Sequence, residues 1–236
     1  MERKKLVIRL TNYGHNALHT FADNATEEQK NQAGLVDHWA LKDHYAHIVH
    51  WMEHSNAKLA SGSTEPDKVM DVDKENARIF EKNKNKPFTD TLTALDAVYE
   101  KMGHYIRMLS EEDLLSTKIV PSLTERPLWQ SLLGDTCIHP ISHLTCLFFE
   151  TGNPDQAVVT HEAIVEDLLS LDESARWQGV TLYNLGCTYA LSGKKEKAIE
   201  LLAKSLKIHP DLKEWSQHDP DYECVRGETA YQQLYT

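Results

Sequence analysis

Apolar residues recur along this chain at spacings of three and four almost from end to end, the spacing that places side chains on one face of an α-helix. No stretch alternates apolar and polar positions long enough to read as a strand. No Asn-Gly or Asp-Gly turn joins two β-like runs. The first predicted helix runs from Arg3 to Phe21, with Leu6, Leu10, Tyr13, Ala17 and Phe21 as its apolar stripe. Asn24-Ala25-Thr26 breaks it and Gly34 marks the next turn. The second covers Leu41 to Ala60, with Leu41, Tyr45, Ile48, Met52 and Leu59 facing a core. The segment SGSTEPD is a loop rich in breakers, and a short helix follows near Lys74–Lys84. After Lys86-Pro87, Thr89 or Asp90 is placed to cap a helix ending near Leu109, with Leu92, Leu95, Val98, Tyr99, Met102 and Ile106 as its stripe. Ser110-Glu111-Glu112-Asp113 reads as a further cap, PSLTERP as a loop, and a fourth long helix starts near Leu128. Four long helices joined by loops predict an all-α fold built on an antiparallel bundle.

Pro140 falls inside the fourth helix. It removes one backbone hydrogen bond and crowds the carbonyl one turn back, so a kink or restart is expected there. Beyond it, three more helices are predicted at Asp155–Leu171, Ala175–Leu191 and Lys194–Lys207. A short closing unit follows, from Asp211–Gln217 through the tail, with Trp215, Tyr222, Tyr231 and Tyr235 on its apolar side.

Residues 141–169 and 182–210 fit one template at an offset of 41. Ile141 matches Leu182, Leu144 matches Leu185, Phe148 matches Tyr189, Gly152 matches Gly193 and Ala157 matches Ala198. The second copy carries Leu185-Gly186-x2-Tyr189, then Ala198 and a closing Pro210, and so resembles a tetratricopeptide repeat. Two such repeats are too few to stand alone, because stacked neighbours supply the core. The last bundle helix is expected to be shared with them or to pack on them.

Charge and composition narrow the function. The net charge of −11 with no compensating basic stretch argues against nucleic-acid binding, and MERKK reads as a solvated helix start. No apolar run approaches the roughly 18 residues needed to span a bilayer, and no signal peptide is visible. Cys137, Cys146, Cys187 and Cys224 form no Cys-x2-Cys pair and no disulfide framework. They read as reduced, mostly buried thiols of a cytoplasmic protein.

The one patch of candidate chemistry lies next to Pro140. His139 and His143 stand at i and i+4, which puts two imidazoles on one helical face, as a metal site requires. On the helical wheel Glu150 points the same way, while Ile141, Leu144 and Phe148 point nearly opposite. Cys146 follows one turn after His143, where core packing is a better reading than ligation. The chain has 13 histidines, so chance pairs are expected; His15 and His19 are also spaced i, i+4.

Several segments, in order and at the right separations, resemble the DinB-like four-helix bundles, and more narrowly their ClbS/DfsB-like branch, over residues 1–152. They are Trp39-Ala-Leu-Lys42-Asp43, His47-Ile48 with Trp51, Asn76-Ala-Arg78-Ile79-Phe80, Leu109-Ser110-Glu-Glu-Asp113-Leu114, and Gly134-x4-His139-Pro140-x2-His143. Many members of this superfamily bind a divalent metal through one histidine on the second helix and a His-x3-His pair on the last. Carried over, that implies His47, His139 and His143. The wheel places His44 nearer the centre of the apolar stripe and His47 at its rim, but the family pattern favours the histidine four residues after Asp43. Three imidazoles with an open position suit zinc or nickel, and Asp43 or Glu150 is placed to orient a ligand ring from behind.

Two functions follow. One is a metal-dependent enzyme acting on a small-molecule substrate by hydrolysis or by nucleophile or thiol transfer, in the stress or resistance role that the resemblance implies. The other is a non-catalytic adaptor that binds a protein or peptide through a tetratricopeptide-like module at residues 153–236, with the bundle at 1–152 as scaffold. In that case the module either presents a groove or only buttresses the bundle.

Overall fold

The computed structural model describes residues 2–61, 71–119 and 126–236. The expected loops SGSTEPD, beyond Ser61, and PSLTERP, up to residue 125, lie outside these. The chain divides into two compact units, Met1–His143 and Leu144–Thr236. Their regular structure is helical, and an isolated antiparallel bridge between Leu35 and His38 is the one β feature among the described residues. No described helix is long and apolar enough to cross a membrane.

The first unit is a bundle. Its elements are α1 (Glu2–Asn24), the short α2 (Glu27–Asn31), α3 (Leu41–Ser61), α4 (Val72–Asn83), α5 (Phe88–Met108), the short α6 (Glu111–Leu115) and α7 (Leu128–Leu133). A π-helical turn (Gly134–Ile138) leads from α7 into α8 (His139–Glu150). Helices α1 and α3 each pack on α5 and on the π-turn. Local chemistry sets several ends. Thr26 and Ser110 form capping boxes with Gln29 and Asp113, each satisfying two N-terminal amides. Asp71 caps α4. Helix α5 begins at Phe88 behind Pro87 and has no side-chain cap, so Thr89 and Asp90 lie within its first turn. Lys4 reaches the other end of α5. Its Nζ donates to the carbonyls of Arg107 at 2.7 Å and Leu109 at 2.5 Å, where a cation also meets the negative end of the helix dipole.

The buried stripe of α1 is Val7, Leu10, Leu18, Phe21 and Ala22, rotated by about one position from the expected one; Leu6, Tyr13 and Ala17 are only half-buried. The cause lies at Thr11 and Gly14, two small residues that let the π-turn approach. Thr11 Oγ1 meets Thr136 Oγ1 at 2.9 Å. A Cβ at Gly14 would lie 2.2 Å from the Thr136 carbonyl oxygen, so no larger residue fits without backbone movement. Pro140 has no N–H to offer that same carbonyl one turn earlier. The buried Tyr99 hydroxyl donates to it instead, at 2.8 Å. The break expected at Pro140 is therefore a π-turn with a substitute donor, and α8 restarts with His139 and His143 a full turn apart.

The second unit repeats one turn. Gly152 and Gly193 both adopt left-handed φ, 72° and 74°. Around them the bonding is the same at an offset of 41. Asn153 N–H donates to Phe148 O and Gly152 N–H to Phe149 O. Lys194 N–H donates to Tyr189 O and Gly193 N–H to Ala190 O. These are the two bonds of a Schellman motif, which glycine permits. The turns lead into α9 (Pro154–Leu171) and α11 (Lys195–Ile208), whose first turns bury Ala157 and Ala198 completely. Helix α10 (Ala175–Leu191) packs on both α9 and α11. The chain closes with α12 (Leu212–His218), a 3-10 turn (Pro220–Val225) and α13 (Thr229–Gln232). Tyr222, Val225 and Tyr231 are buried in the core of this unit with Tyr183, Leu185 and Leu202. Trp215, expected on that side, is 66% exposed. Gly186 has a packing reason: a Cβ there would meet the Tyr222 hydroxyl at 2.3 Å, and that hydroxyl donates to the Tyr183 carbonyl. All four cysteines are free thiols; Cys137 and Cys187 are buried, whereas Cys146 and Cys224 are exposed rather than in the core.

Two substitutions test these close approaches. Tyr99→Phe removes the donor to the Thr136 carbonyl and should destabilise the bundle by about 1–3 kcal/mol, the cost of a buried polar group left unpaired. Unchanged denaturant midpoints would show that the bond is dispensable. Gly186→Ala should lower the melting temperature of the second unit, since the fully buried Tyr222 must move to admit one methyl group. A neutral effect would mean that the glycine serves no packing role.

Candidate metal centre

Helix α3 presents two histidines to the interior of the first unit. Asp43 fixes the start of that helix: its Oδ2 accepts the Ala40 N–H at 3.0 Å, the backward half of a capping box. Gly34 leaves room for this carboxylate, since a Cβ there would sit 2.0 Å from Oδ2. The next residue, His44, and His47 one turn on are both buried. Helix α8 contributes His139 and His143.

The ring nitrogens converge. His47 Nε2 lies 3.0 Å from His139 Nε2, and His143 Nε2 lies 2.9 Å from the same atom. One ligand nitrogen from each of His47, His139 and His143 lies within 4.8 Å of the others. An imidazole nitrogen carries either a proton or a lone pair, never both. A single N–H at His139 Nε2 serves one of its two neighbours and opposes the other, so hydrogen bonds alone cannot satisfy this trio. A cation that accepts all three lone pairs can. Zinc–nitrogen bonds of about 2.0–2.1 Å would place tetrahedral ligands about 3.3–3.4 Å apart, a few tenths of an ångström beyond the separations seen. The donor set therefore fits a borderline-soft divalent ion such as zinc or nickel.

The surroundings keep these rings neutral. Burial, reinforced by the neighbouring histidines, pushes His143 down to about 2 and His47 to about 3. Burial alone lowers His139 to about 4; His44, also near 4, is lowered by burial first and then by His38. A metal ligand must be deprotonated, and these imidazoles are so throughout the neutral range.

A supporting layer stands behind the trio. His44 Nδ1 lies 2.8 Å from His143 Nδ1. The tautomer that leaves His143 Nε2 free carries its proton on Nδ1, and His44 Nδ1 accepts it. Asn76 from α4 lies beside His47 and weakly opposes the lowering of the ring's pKa, which burial dominates. His47 Nδ1 and Asn76 Oδ1 are buried without a well-aligned partner among the described residues; one is a potential N–H donor and the other an acceptor. Trp39 closes the cluster from the loop before α3. Its ring lies 4.8 Å from His47 and 6.2 Å, nearly parallel, from His143, and its Nε1 donates to the Val36 carbonyl. Trp51 stands edge-on to His47 at 6.1 Å.

Among the expected second-layer carboxylates, Asp43 spends one oxygen on the α3 cap, and its Oδ1 has no hydrogen-bond partner among the described residues. Burial raises its pKa, against the Ala40 N–H and Lys42. Glu150 is exposed at the far end of α8, in the second unit. The groups that do abut the trio, His44 and Asn76, were not expected in that role. For His44 the signal was present: it lies one turn before His47 at the centre of the apolar stripe, where a buried imidazole needs a partner. Asn76 had none beyond its place in the family pattern. His50, half-buried on the same helix, is paired with Glu75 at 2.9 Å.

Comparison with known proteins agrees with this architecture. Residues 180–212 match the profile of the tetratricopeptide repeat, which covers α10 and α11. No curated protein and no solved structure matches the chain. Residues 12–144, more than half of the chain and including all three converging histidines, match the profile of the DinB superfamily. With its helical bundle and its histidines from two helices, the chain belongs to the DinB superfamily.

Proposed function

We propose that this protein is a metal-dependent enzyme acting on a small molecule, with His47, His139 and His143 as the metal ligands. The convergence of three neutral Nε2 atoms, which no arrangement of protons satisfies, carries this reading. Membership of a typically metal-binding superfamily supports it. Three protein ligands leave a position for water or substrate, and zinc or nickel held there supplies Lewis acidity and a water whose pKa falls toward about 7. The residues around the trio have definite tasks. His44 fixes the His143 tautomer, Asn76 stands beside His47, and Trp39 and Trp51 pack against the rings. No carboxylate hydrogen-bonds to the trio among the described residues, so the ligand set is uncharged and a bound dication keeps its full charge for substrate. This would suit hydrolysis, or addition of a thiol or another nucleophile. Within the superfamily we place the chain nearest the ClbS/DfsB-like branch, on the Trp39–Asp43 and His139–His143 segments, and in a reducing cytoplasm, where four free thiols persist.

The tetratricopeptide match favours a second reading, an adaptor that captures a protein or peptide through residues 153–236. A metal-free native protein together with a partner retained by that segment would favour it over the enzyme.

Elemental analysis of protein purified without a histidine tag and dialysed free of loosely held ions should find about one divalent metal per chain. His139→Ala and His143→Ala should each remove it while leaving the helical circular dichroism intact. Full metal content in both variants would refute the assignment. His44→Ala should weaken binding by about 10–100-fold, because it frees the His143 ring without removing a ligand.

The metal-free chain should also respond to pH in a defined direction. These imidazoles are neutral when folded and protonate below about 6.5 when unfolded, so the unfolded state takes up more protons as pH falls. Their stabilising effect is present above about pH 6.5 and is lost as the pH falls toward the folded values of about 2 to 4. Melting temperatures in chelator should fall across that window, with a slope of about 1.4 kcal/mol per pH unit for each imidazole kept neutral. A flat profile between pH 6.5 and 4 would show that the rings protonate without unfolding.

A further inference from the structure

We propose a second cation site on the bundle, formed by His15 and His19 of α1 and Asp96 of α5, which takes a zinc-class divalent ion. It shares no residue with the trio described above and does not depend on that trio holding metal.

His15 Nε2 and His19 Nε2 lie 2.8 and 2.6 Å from the same Asp96 Oδ1, and 3.1 Å from each other. The three donor atoms thus form a small triangle. To hydrogen-bond with Asp96, each imidazole must carry its proton on Nε2, and the two N–H groups then crowd one another at a single oxygen. A dication placed over the triangle takes the place of both Nε2 protons, and each ring keeps its proton on Nδ1 instead. It receives two neutral nitrogens and one carboxylate oxygen, a donor set suited to zinc, nickel or cobalt. Tetrahedral bonds of about 2.0–2.2 Å put neighbouring ligands about 3.3–3.6 Å apart, so the observed triangle of 2.8, 2.6 and 3.1 Å opens by about half an ångström to admit the ion.

The site is also preorganised. The His15 ring stacks on Tyr99 at 4.4 Å and 17°, and Tyr99 is anchored through its hydroxyl to the Thr136 carbonyl. The His19 ring stands edge-on to His15 at 4.7 Å. Little side-chain freedom remains to be lost on binding. Yet the three side chains are 28, 31 and 52% exposed, so a hydrated ion reaches them and keeps water in its remaining positions. One water-accessible ion would tie α1 to α5, two helices far apart in sequence. This fits a stabilising clamp rather than a second reaction centre.

Equilibrium dialysis with zinc alone, at micromolar free ion, tests the site. The His139→Ala/His143→Ala protein, with the buried trio disabled, should still bind one zinc per chain and melt at a higher temperature with zinc than without. Adding His19→Ala or Asp96→Asn should raise the dissociation constant at least tenfold and abolish the melting shift. If the double variant does not fold, the same substitutions in the otherwise native chain should lower the zinc stoichiometry by one. Retention of that zinc in Asp96→Asn, or no zinc in the folded double variant, would overturn the proposal.

Discussion

Everything on α8 depends on how the chain passes Pro140. A proline there leaves the Thr136 carbonyl without its usual donor, inside a bundle where an unpaired carbonyl is costly. The solution uses three elements at once. The Tyr99 hydroxyl from α5 donates to the carbonyl, Gly14 of α1 vacates the space around it, and a π-turn takes up the extra residue. These contacts fix the point at which α8 restarts and the direction in which His139 and His143 face. π-Bulges of this kind recur where a helix must aim side chains at a site, and here the re-aimed side chains are two metal-ligand candidates.

The second unit meets a different constraint by repetition. It spends the same Schellman turn twice, at Gly152 and Gly193, and follows each with a fully buried alanine. Its remaining specificity is polar. Buried Asp219 accepts the Tyr183 hydroxyl at 2.5 Å and caps the 3-10 turn, while Tyr222 donates to Tyr183 O. The Tyr222 hydroxyl so placed occupies the space that any side chain at position 186 would need.

Much of this was legible in the sequence, because helical periodicity is local. The helices of the second unit start and end within a residue or so of expectation, and the offset of 41 reappears bond for bond in the structure. The sequence was mute where a tertiary approach overrides a local pattern. The α1 stripe rotates because Gly14 admits a backbone carbonyl from 122 residues away, a fact no periodicity encodes. The same holds for the candidate site. The i, i+4 pairs His139/His143 and His15/His19 look alike as sequence, and both acquire partners only through folding. His44 was visible as a buried imidazole but not as the neighbour of His143. Cys146 and Trp215 failed as core residues because an apolar character indicates burial only when a neighbour covers the position.

The separations in sequence also set an order of assembly. In the second unit α10 and α11 form a hairpin of near neighbours, and such local contacts close quickly. In the first unit, Thr11 must find Thr136 across 125 positions, and His47 must find His139 across 92. Loop closure on that scale comes late. On a growing chain, α1, α3 and α5 must wait, with one side of their core uncovered, until residues 128–143 have been made. An ion held by a half-formed set, such as His44 and His47 alone, would lack the geometry to be kept. On the proposed function, a cation entering the buried trio therefore meets a site that exists only once the bundle has closed.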